Sequence, residues 1–407
     1  MPSQKNVSTF SFSVEQKLDN ALGRTGVITT PHGQIKTPAF IPVGTQATLK
    51  ALTPEQLAAT GAQAVLANAY HLYLRPGPKV IEQAKGLGRF MNWDKPTFTD
   101  SGGFQIMSLG VGYKKVIDMG EGIEKPANKK ERLAWTDDDG VKFKSHIDGS
   151  MHRFTPEVSI RAQHDLGADI IFAFDELTTL HDPYEYQVES LERRTHPWAE
   201  RSLKEHQRLT AQGWTLRKPY QALFGVVQGA QYEDLRRQSA RFMANLDFDG
   251  YGLGGAFTKA GLGETVRWMN EELPESKPRH MLGISEPIDI FICIENGADT
   301  FDCVSPARVA RNGALYLPTG RINITNQKYR SDFTVLDKSC DCYTCQNYSR
   351  AYLHHLYKSG ELLANTLGTI HNVRFIVKLV DDIRTSIEKD TFASFKQEWL
   401  AAYYTTT

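Results

Sequence analysis

Eight times along this chain a short, mostly apolar run stops at a polar residue or a glycine and gives way to a helix, or to an insertion and then a helix. The runs lie at residues 38–43, 64–69, 96–99, 168–174, 221–227, 251–255, 279–285 and 300–304. Runs apolar on both faces belong to parallel strands covered on both sides, and their alternation with helices marks repeated βα units. Eight such units close into an α/β fold, the (β/α)8 TIM barrel. A doubly wound open sheet is the competing topology, but no G-x-G-x-x-G follows the first run. Thr53-Pro54-Glu55-Gln56 is a capping box with proline at the first helical position, and Thr155-Pro156-Glu157 repeats the signal. Further helices are expected over residues 78–85, 184–211, 231–246, 262–273 and 287–296. Residues 1–22 read as a polar lead-in and residues 24–43 as a hairpin turning at Pro31-His32-Gly33.

In a barrel of this kind the active site is built at the C-terminal ends of the strands. Those ends carry Thr45, Asn68, Asp100, Asp175, Gln228, Gly254-Gly255, Gly283 and Asp302, so carboxylates from three different strands are expected to meet in one pocket. The stretch Thr99-Asp100-Ser101-Gly102-Gly103-Phe104-Gln105 concentrates an acid, a hydroxyl, two glycines, an aromatic and an amide at one of these ends. Taken alone it also reads as a tight surface turn. The glycines let the backbone approach a ligand closely.

Two insertions interrupt the repeat. Residues 110–146 form a charged excursion containing Lys129-Lys130-Glu131-Arg132 and Asp137-Asp138-Asp139, with a hairpin expected at 141–146. Residues 306–372 separate the eighth run from the last helix. Both are expected to belong to a single catalytic domain spanning 1–407.

With 41% apolar and 23% charged residues the chain has enough material for a large core. Lys+Arg and Asp+Glu balance at 47 each, so a polyanionic partner must be held by a local patch. Residues 306–330 supply one: Arg308, Arg311, Arg321, Lys328 and Arg330 without an acidic residue, suited to phosphate contacts. No apolar run approaches the roughly 18 residues of a membrane span, and residues 1–13 lack an apolar signal core. A cytoplasmic enzyme without a membrane partner is the expectation.

Of the five cysteines, Cys293 and Cys303 sit in apolar surroundings as buried thiols. The others crowd into Cys340-Asp341-Cys342-Tyr343-Thr344-Cys345, a spacing for tetrahedral zinc rather than disulfides. Three thiolates and one histidine make a closed, structural Zn2+ site, one per chain, and the spacing leaves His354, His355 and His371 open as the fourth ligand.

Taken together, the stretch 99–105, Ala173-Phe174-Asp175-Glu176, Phe224-Gly225-Val226-Val227-Gln228-Gly229, Phe301-Asp302-Cys303-Val304 and the cysteine knuckle followed by Ser349-Arg350-Ala351-Tyr352 resemble the tRNA-guanine transglycosylase family, in order and across nearly the whole chain. The resemblance implies a (β/α)8 barrel with a zinc-binding subdomain, 306–372, inserted before the last helix. It implies exchange of guanine at the tRNA wobble position for a 7-deazaguanine, as in queuosine tRNA modification. Asp302 is then the nucleophile that holds a covalent ribosyl intermediate, and Asp100 the general acid/base. Asp175, Gln228, Ser101 and the Gly255 backbone bind the base, while Phe104 and Leu282 stack on it. Arg308 and Arg311 fall beside the anticodon loop, and His371 is selected as the fourth zinc ligand. The implied partners are tRNA with a G-U-N anticodon and a second copy of the chain, through positions matching Tyr348, Tyr352, His355, Leu72 and Pro76.

Several positions depart from the family pattern. Leu177 stands where enzymes for the 7-aminomethyl-7-deazaguanine precursor usually have cysteine, and Tyr348 where tryptophan is more usual. Ala256-Phe257-Thr258 replaces Leu-Ala-Val, and Thr258 is not the glycine of the enzymes that take queuine. Gly283-Ile284-Ser285 replaces Gly-x-Gly. The choice between the aminomethyl precursor and queuine stays open on these residues. The archaeosine branch normally carries further RNA-binding domains, a non-catalytic partner subunit is expected to lose Asp100 or Asp302, and a carbohydrate-active hydrolase has no use for the knuckle and basic strip.

Overall fold

The computed structural model describes residues 10–110, 133–215 and 218–404. Its centre is an eight-stranded parallel sheet, in chain order Ala39–Pro42, Val65–Ala67, Thr97–Thr99, Ile170–Phe172, Ala222–Val227, Gly250–Leu253, Arg279–Met281 and Thr300–Cys303. From the second to the eighth, each strand pairs with the next in sequence, and the eighth pairs with the first, Asp302 opposite Ile41. Between first and second strands the ring is closed by a parallel bridge, Val43 to Leu66, with the Gly44 N–H donating to the Leu66 carbonyl at 2.7 Å. The expected barrel is therefore observed.

The strands are apolar on both faces because each face has its own core. Ile41, Leu66, Phe98, Phe172, Phe224 and Val226 fill the barrel, while Phe40, Ile171, Leu223, Leu253 and Phe301 pack outward against the helices. This period-two division follows from strand geometry. The helix Pro54–Ala59 carries the expected capping box, Thr53 and Gln56 each bonding the other's backbone.

Four sequence expectations are revised. The lead-in is not wholly irregular: Ser11–Lys17 is a strand, added antiparallel to the hairpin Arg24–Thr30 and Gly33–Thr37. Phe12, Ile28 and Ile35 of this small sheet close the barrel's N-terminal mouth, joining the same cluster as Phe224. Next, Gly140–Lys144 is the centre of a three-stranded antiparallel sheet with Ala134–Asp137 and Met151–Phe154, so the expected hairpin at 141–146 extends into a larger unit. Phe143 and Phe154 tie that sheet to Tyr70, Phe174 and Trp198 at the rim. Lys129, Lys130, Glu131 and Arg132 lie outside the described residues. Third, the helical stretch 184–211 is interrupted by a π-helical turn, Leu191–Thr195, between Tyr184–Ser190 and His196–Thr215. The turn lets Thr195 Oγ1 accept the Glu176 N–H (3.3 Å) and brings Arg194 onto the Glu176 carboxylate, bracing the residue next to Asp175. Finally, the helix Leu362–Glu388 begins before residue 372, so the end drawn for the insertion falls inside it. No helix among the described residues is long and apolar enough to cross a membrane.

At the N-terminal end Arg24 and Asp299 form a two-pronged ion pair (2.9 and 2.7 Å) with side chains only 1% and 0% exposed. Asp299 also accepts the Arg279 N–H at 2.8 Å. Asp299→Ala strands a buried guanidinium and is expected to cost about 3–5 kcal/mol of unfolding free energy. Lys17→Ala removes the exposed pair with Glu275 and is expected to cost less than about 1 kcal/mol. Urea denaturation of the two variants checks the contrast.

Candidate active site

At the C-terminal ends of the strands a cavity of about 400 Å³ opens, and it is lined by Asn68, Asp100, Asp175, Gln228 and Asp302 among others. A larger groove of about 670 Å³, between His32, Lys85 and Trp93, lies beside the hairpin at the other end of the barrel and gathers none of these residues.

Asp100 follows the third strand. Its carboxylate accepts hydrogen bonds from the Ala69 N–H (2.7 Å), Gln105 Nε2 (2.7 Å) and the Asn68 amide. All three donors are neutral. Burial pushes its pKa up to about 6, and the nearby Asp302 charge adds to the shift, while the hydrogen bonds oppose it.

Asp175 follows the fourth strand and accepts from Gln228 Nε2 (2.7 Å) and Ser101 Oγ (3.3 Å). Burial raises its pKa to about 6 as well. With its amide nitrogen turned to Asp175, Gln228 leaves Oε1 buried and without a hydrogen bond. Gly255 beside it has φ +103°, and a Cβ there would come within 2.8 Å of that oxygen, so only glycine fits. Phe104, 40% exposed, and Leu282 both line the cavity, as does Leu177. Thr258 does not; it is exposed, and its hydroxyl accepts the Gly261 N–H (3.1 Å).

Asp302 is on the eighth strand with its side chain 14% exposed. Its Oδ1 meets His280 Nε2 at 3.2 Å and the Gly283 N–H at 3.1 Å. Arg308, on the helix Ser305–Arg311, reaches the cavity wall; Arg311 on the same helix turns its guanidinium back to the Ala307 carbonyl (2.9 Å) and does not line it.

The residue pattern alone had not pointed to Arg236 or His280. Arg236 is fully buried, and its guanidinium donates to the carbonyls of Ala230 (2.7 Å) and Gly254 (2.6 Å), tying together the loops that carry Gln228 and Gly255. Burial lowers its pKa to about 9. A signal existed: Arg236 falls on the apolar stripe of its helix with Leu235, Ser239 and Met243.

The metal-ligating set gathers as well. The side-chain ligand atoms of Cys340, Cys342, Cys345 and His371 lie within 4.8 Å of one another. His371 Nδ1 is 3.8, 3.6 and 3.3 Å from the three Sγ atoms in turn. An S-to-N edge of a tetrahedral zinc site is about 3.5 Å, so the cluster fits a zinc site. His371 Nε2 donates to the Tyr316 carbonyl at 2.6 Å, which leaves Nδ1 free to ligate. His354 is engaged elsewhere, with the Ile324 carbonyl at 2.9 Å. Of the positions matched to a dimer contact, Tyr348 and Tyr352 stack 5.4 Å apart, whereas Leu72 is 1% exposed and belongs to the monomer's own core.

A raised carboxyl pKa means that the fold favours the neutral form. The resulting cost is absent below the ordinary value of 3.8 and complete once pH has passed about 6. Asp175→Asn is therefore expected to raise the thermal midpoint above that of the parent at pH 8 and to lose the advantage by pH 4. Scanning calorimetry at the two pH values checks this, and an equal gain at both contradicts it.

The family model described as Queuine tRNA-ribosyltransferase matches residues 19–405. The chain is 44% identical over 401 residues to a Queuine tRNA-ribosyltransferase of Caldanaerobacter subterraneus subsp. tengcongensis, covering 98% of this chain and 99% of the relative. It is 45% identical to the protein of that name from Roseiflexus sp. (96% and 99% covered) and 45% identical to that of Lactococcus lactis subsp. lactis (93% and 92% covered). With matches spanning its full barrel and its cysteine knuckle, the chain belongs to the queuine tRNA-ribosyltransferase family.

Proposed function

We propose that this chain is a tRNA-guanine transglycosylase, a pentosyltransferase that exchanges guanine at the wobble position of G-U-N tRNAs for a 7-deazaguanine in the cytoplasm. The observation that carries the reading is the set of three carboxylates at one pocket, each with a different set of neighbours. Base exchange at a ribose C1′ needs a nucleophile and a separate proton carrier, as in a retaining glycosidase.

Asp302 attacks C1′ of the wobble nucleotide, and the C1′–N9 bond breaks with its electron pair going to guanine. Asp100 in its neutral form gives that leaving base a proton; its raised pKa keeps a fraction protonated near neutral pH. The ribosyl–Asp302 ester then waits for the incoming 7-deazaguanine. Asp100, now a carboxylate, takes the proton from N9 of that base as N9 attacks C1′ and releases Asp302. Asp175 accepts hydrogen bonds from the N–H edge of the base, and the second hydrogen of Gln228 Nε2 together with the Gly255 N–H reads its carbonyl. Ser101 holds Asp175 in place. Phe104 and Leu282 enclose the flipped base between apolar surfaces.

Cys340, Cys342, Cys345 and His371 would hold Zn2+, which would supply folding energy rather than chemistry, because a set of four protein ligands leaves no position for substrate. His371 lies in the same helix as Asn372, which bonds the carbonyls of Pro306 (3.1 Å) and Ala314 (2.9 Å). Metal binding there would thus brace the segment bearing Arg308 and Arg311, which in this reading contact the anticodon loop. A second copy of the chain packs against the aromatic ladder of Tyr343, Tyr348 and Tyr352, the first and last of which are 52% and 40% exposed.

Asp302→Asn is expected to abolish a tRNA adduct that survives denaturing electrophoresis. An adduct undiminished in that variant removes Asp302 from the nucleophile's role. Cys342→Ala is expected to lose bound metal and lower the thermal midpoint at any substrate concentration; unchanged metal content and midpoint contradict the assignment of the cluster.

A further inference from the structure

The seventh and eighth strands pair in parallel with His280 opposite Thr300. Since side chains alternate along a strand, Thr300 and Asp302 share one face, and His280 stands beside both. The imidazole is fully buried, packed between Phe98 and Phe172 with ring centroids 5.5 and 5.3 Å away. Both of its nitrogens are engaged: Nδ1 with Thr300 Oγ1 at 2.8 Å and Nε2 with Asp302 Oδ1 at 3.2 Å. The Gly283 N–H reaches the same oxygen, Oδ1, at 3.1 Å.

We infer that His280 is a positioning residue for the nucleophile: with Gly283 it clamps Oδ1 of Asp302 and leaves Oδ2 as the oxygen that attacks C1′. The inference rests on the role proposed above for Asp302.

The tautomer follows from the partners. A carboxylate only accepts, so Nε2 must carry the hydrogen that points at Oδ1. In a neutral ring Nδ1 is then the acceptor, and the Thr300 hydroxyl donates to it. Thr300 therefore sets which nitrogen holds the proton, and the two phenyl rings set the plane of the imidazole. When Oδ2 bonds to C1′, the C1′–N9 electron pair leaves with the base and Oδ1 becomes the ester carbonyl oxygen. The two donors stay on it, and they are in place again when the second base releases the carboxylate. They orient the group through both halves of the exchange without giving up a proton.

The chain needs this clamp because no lysine or arginine pairs with Asp302 among the described residues. A free carboxylate at the end of a strand rotates about χ2, and the attacking oxygen must lie in line with the departing base.

The test is a kinetic comparison of His280→Phe, His280→Gln and Thr300→Val with the parent, using unmodified tRNA and radiolabelled guanine. Phe keeps the stacking between Phe98 and Phe172 and removes the donor; Gln restores an N–H. Loss of one hydrogen bond to a charged group is worth about tenfold to a hundredfold in rate. His280→Phe is expected to lower kcat by that factor, and to slow adduct formation equally, with KM for tRNA and guanine within twofold. His280→Gln is expected to recover at least half of that loss on a logarithmic scale. Thr300→Val, which frees the tautomer without touching Asp302, is expected to lower kcat by a smaller factor, and it decides the matter if His280→Phe does not fold. An unchanged kcat in His280→Phe, or a loss carried by KM, overturns the inference while leaving Asp302 as nucleophile. A parent enzyme that forms no adduct overturns the reading of Asp302 itself.

Discussion

The site depends on one electrostatic condition: Asp100 and Asp175 are desolvated without a cation to compensate them. Among the described residues neither carboxylate forms an ion pair, and their partners are amides, hydroxyls and backbone N–H groups. Neutral donors stabilise the anion less than a lysine or arginine does, so burial prevails and both pKa values rise to about 6. A carboxyl in that range can both give and take a proton near neutral pH. A guanidinium beside Asp100 would hold it ionised and remove the neutral form that the proposed proton transfer needs.

Holding these groups apart from cations is the work of the barrel. Arginine is not excluded from the interior: Arg236 lies beside the Gln228 and Gly255 loops, but it spends its donors on backbone carbonyls rather than on a carboxylate. At the opposite mouth the small sheet of residues 11–37 seals the barrel, and Arg24 and Asp299 satisfy each other there. The buried Arg24–Asp299 pair thus sits at the closed end, while at the open end Arg194 is taken up by Glu176 and leaves Asp100 and Asp175 without a cation. The helix Leu362–Glu388 binds the two levels together, since the same helix packs on the barrel and contributes His371 to the metal cluster.

Much of this was legible in the residues. The eight strands were visible because a strand buried on both faces is apolar throughout, and the acids were visible because each stands where such a run stops. The cysteine knuckle was visible from spacing, though its histidine was not: choosing His371 over His354 depends on which helix face meets Tyr316. What stayed hidden depends on register and on breaks in periodicity. The positioning role proposed for His280 follows from its being opposite Thr300 on another strand, a pairing no local pattern encodes. Leu191–Thr195 reads as ordinary helix, and its π turn appears only when Thr195 and Arg194 are seen to reach Glu176. The strand Ser11–Lys17 alternates with Phe12 and Val14 on one face, a signal masked by its polar neighbours.

The central claim is that this pocket exchanges a purine on intact tRNA through paired acids. The most direct measurement is incorporation of radiolabelled guanine into unmodified G-U-N tRNA, chased in parallel with 7-aminomethyl-7-deazaguanine and with queuine. The account predicts incorporation at the wobble nucleotide, none into the same tRNA with another base at that position, and displacement of label by one of the two deazaguanines. Label that never enters the tRNA, or enters regardless of the wobble base, contradicts it.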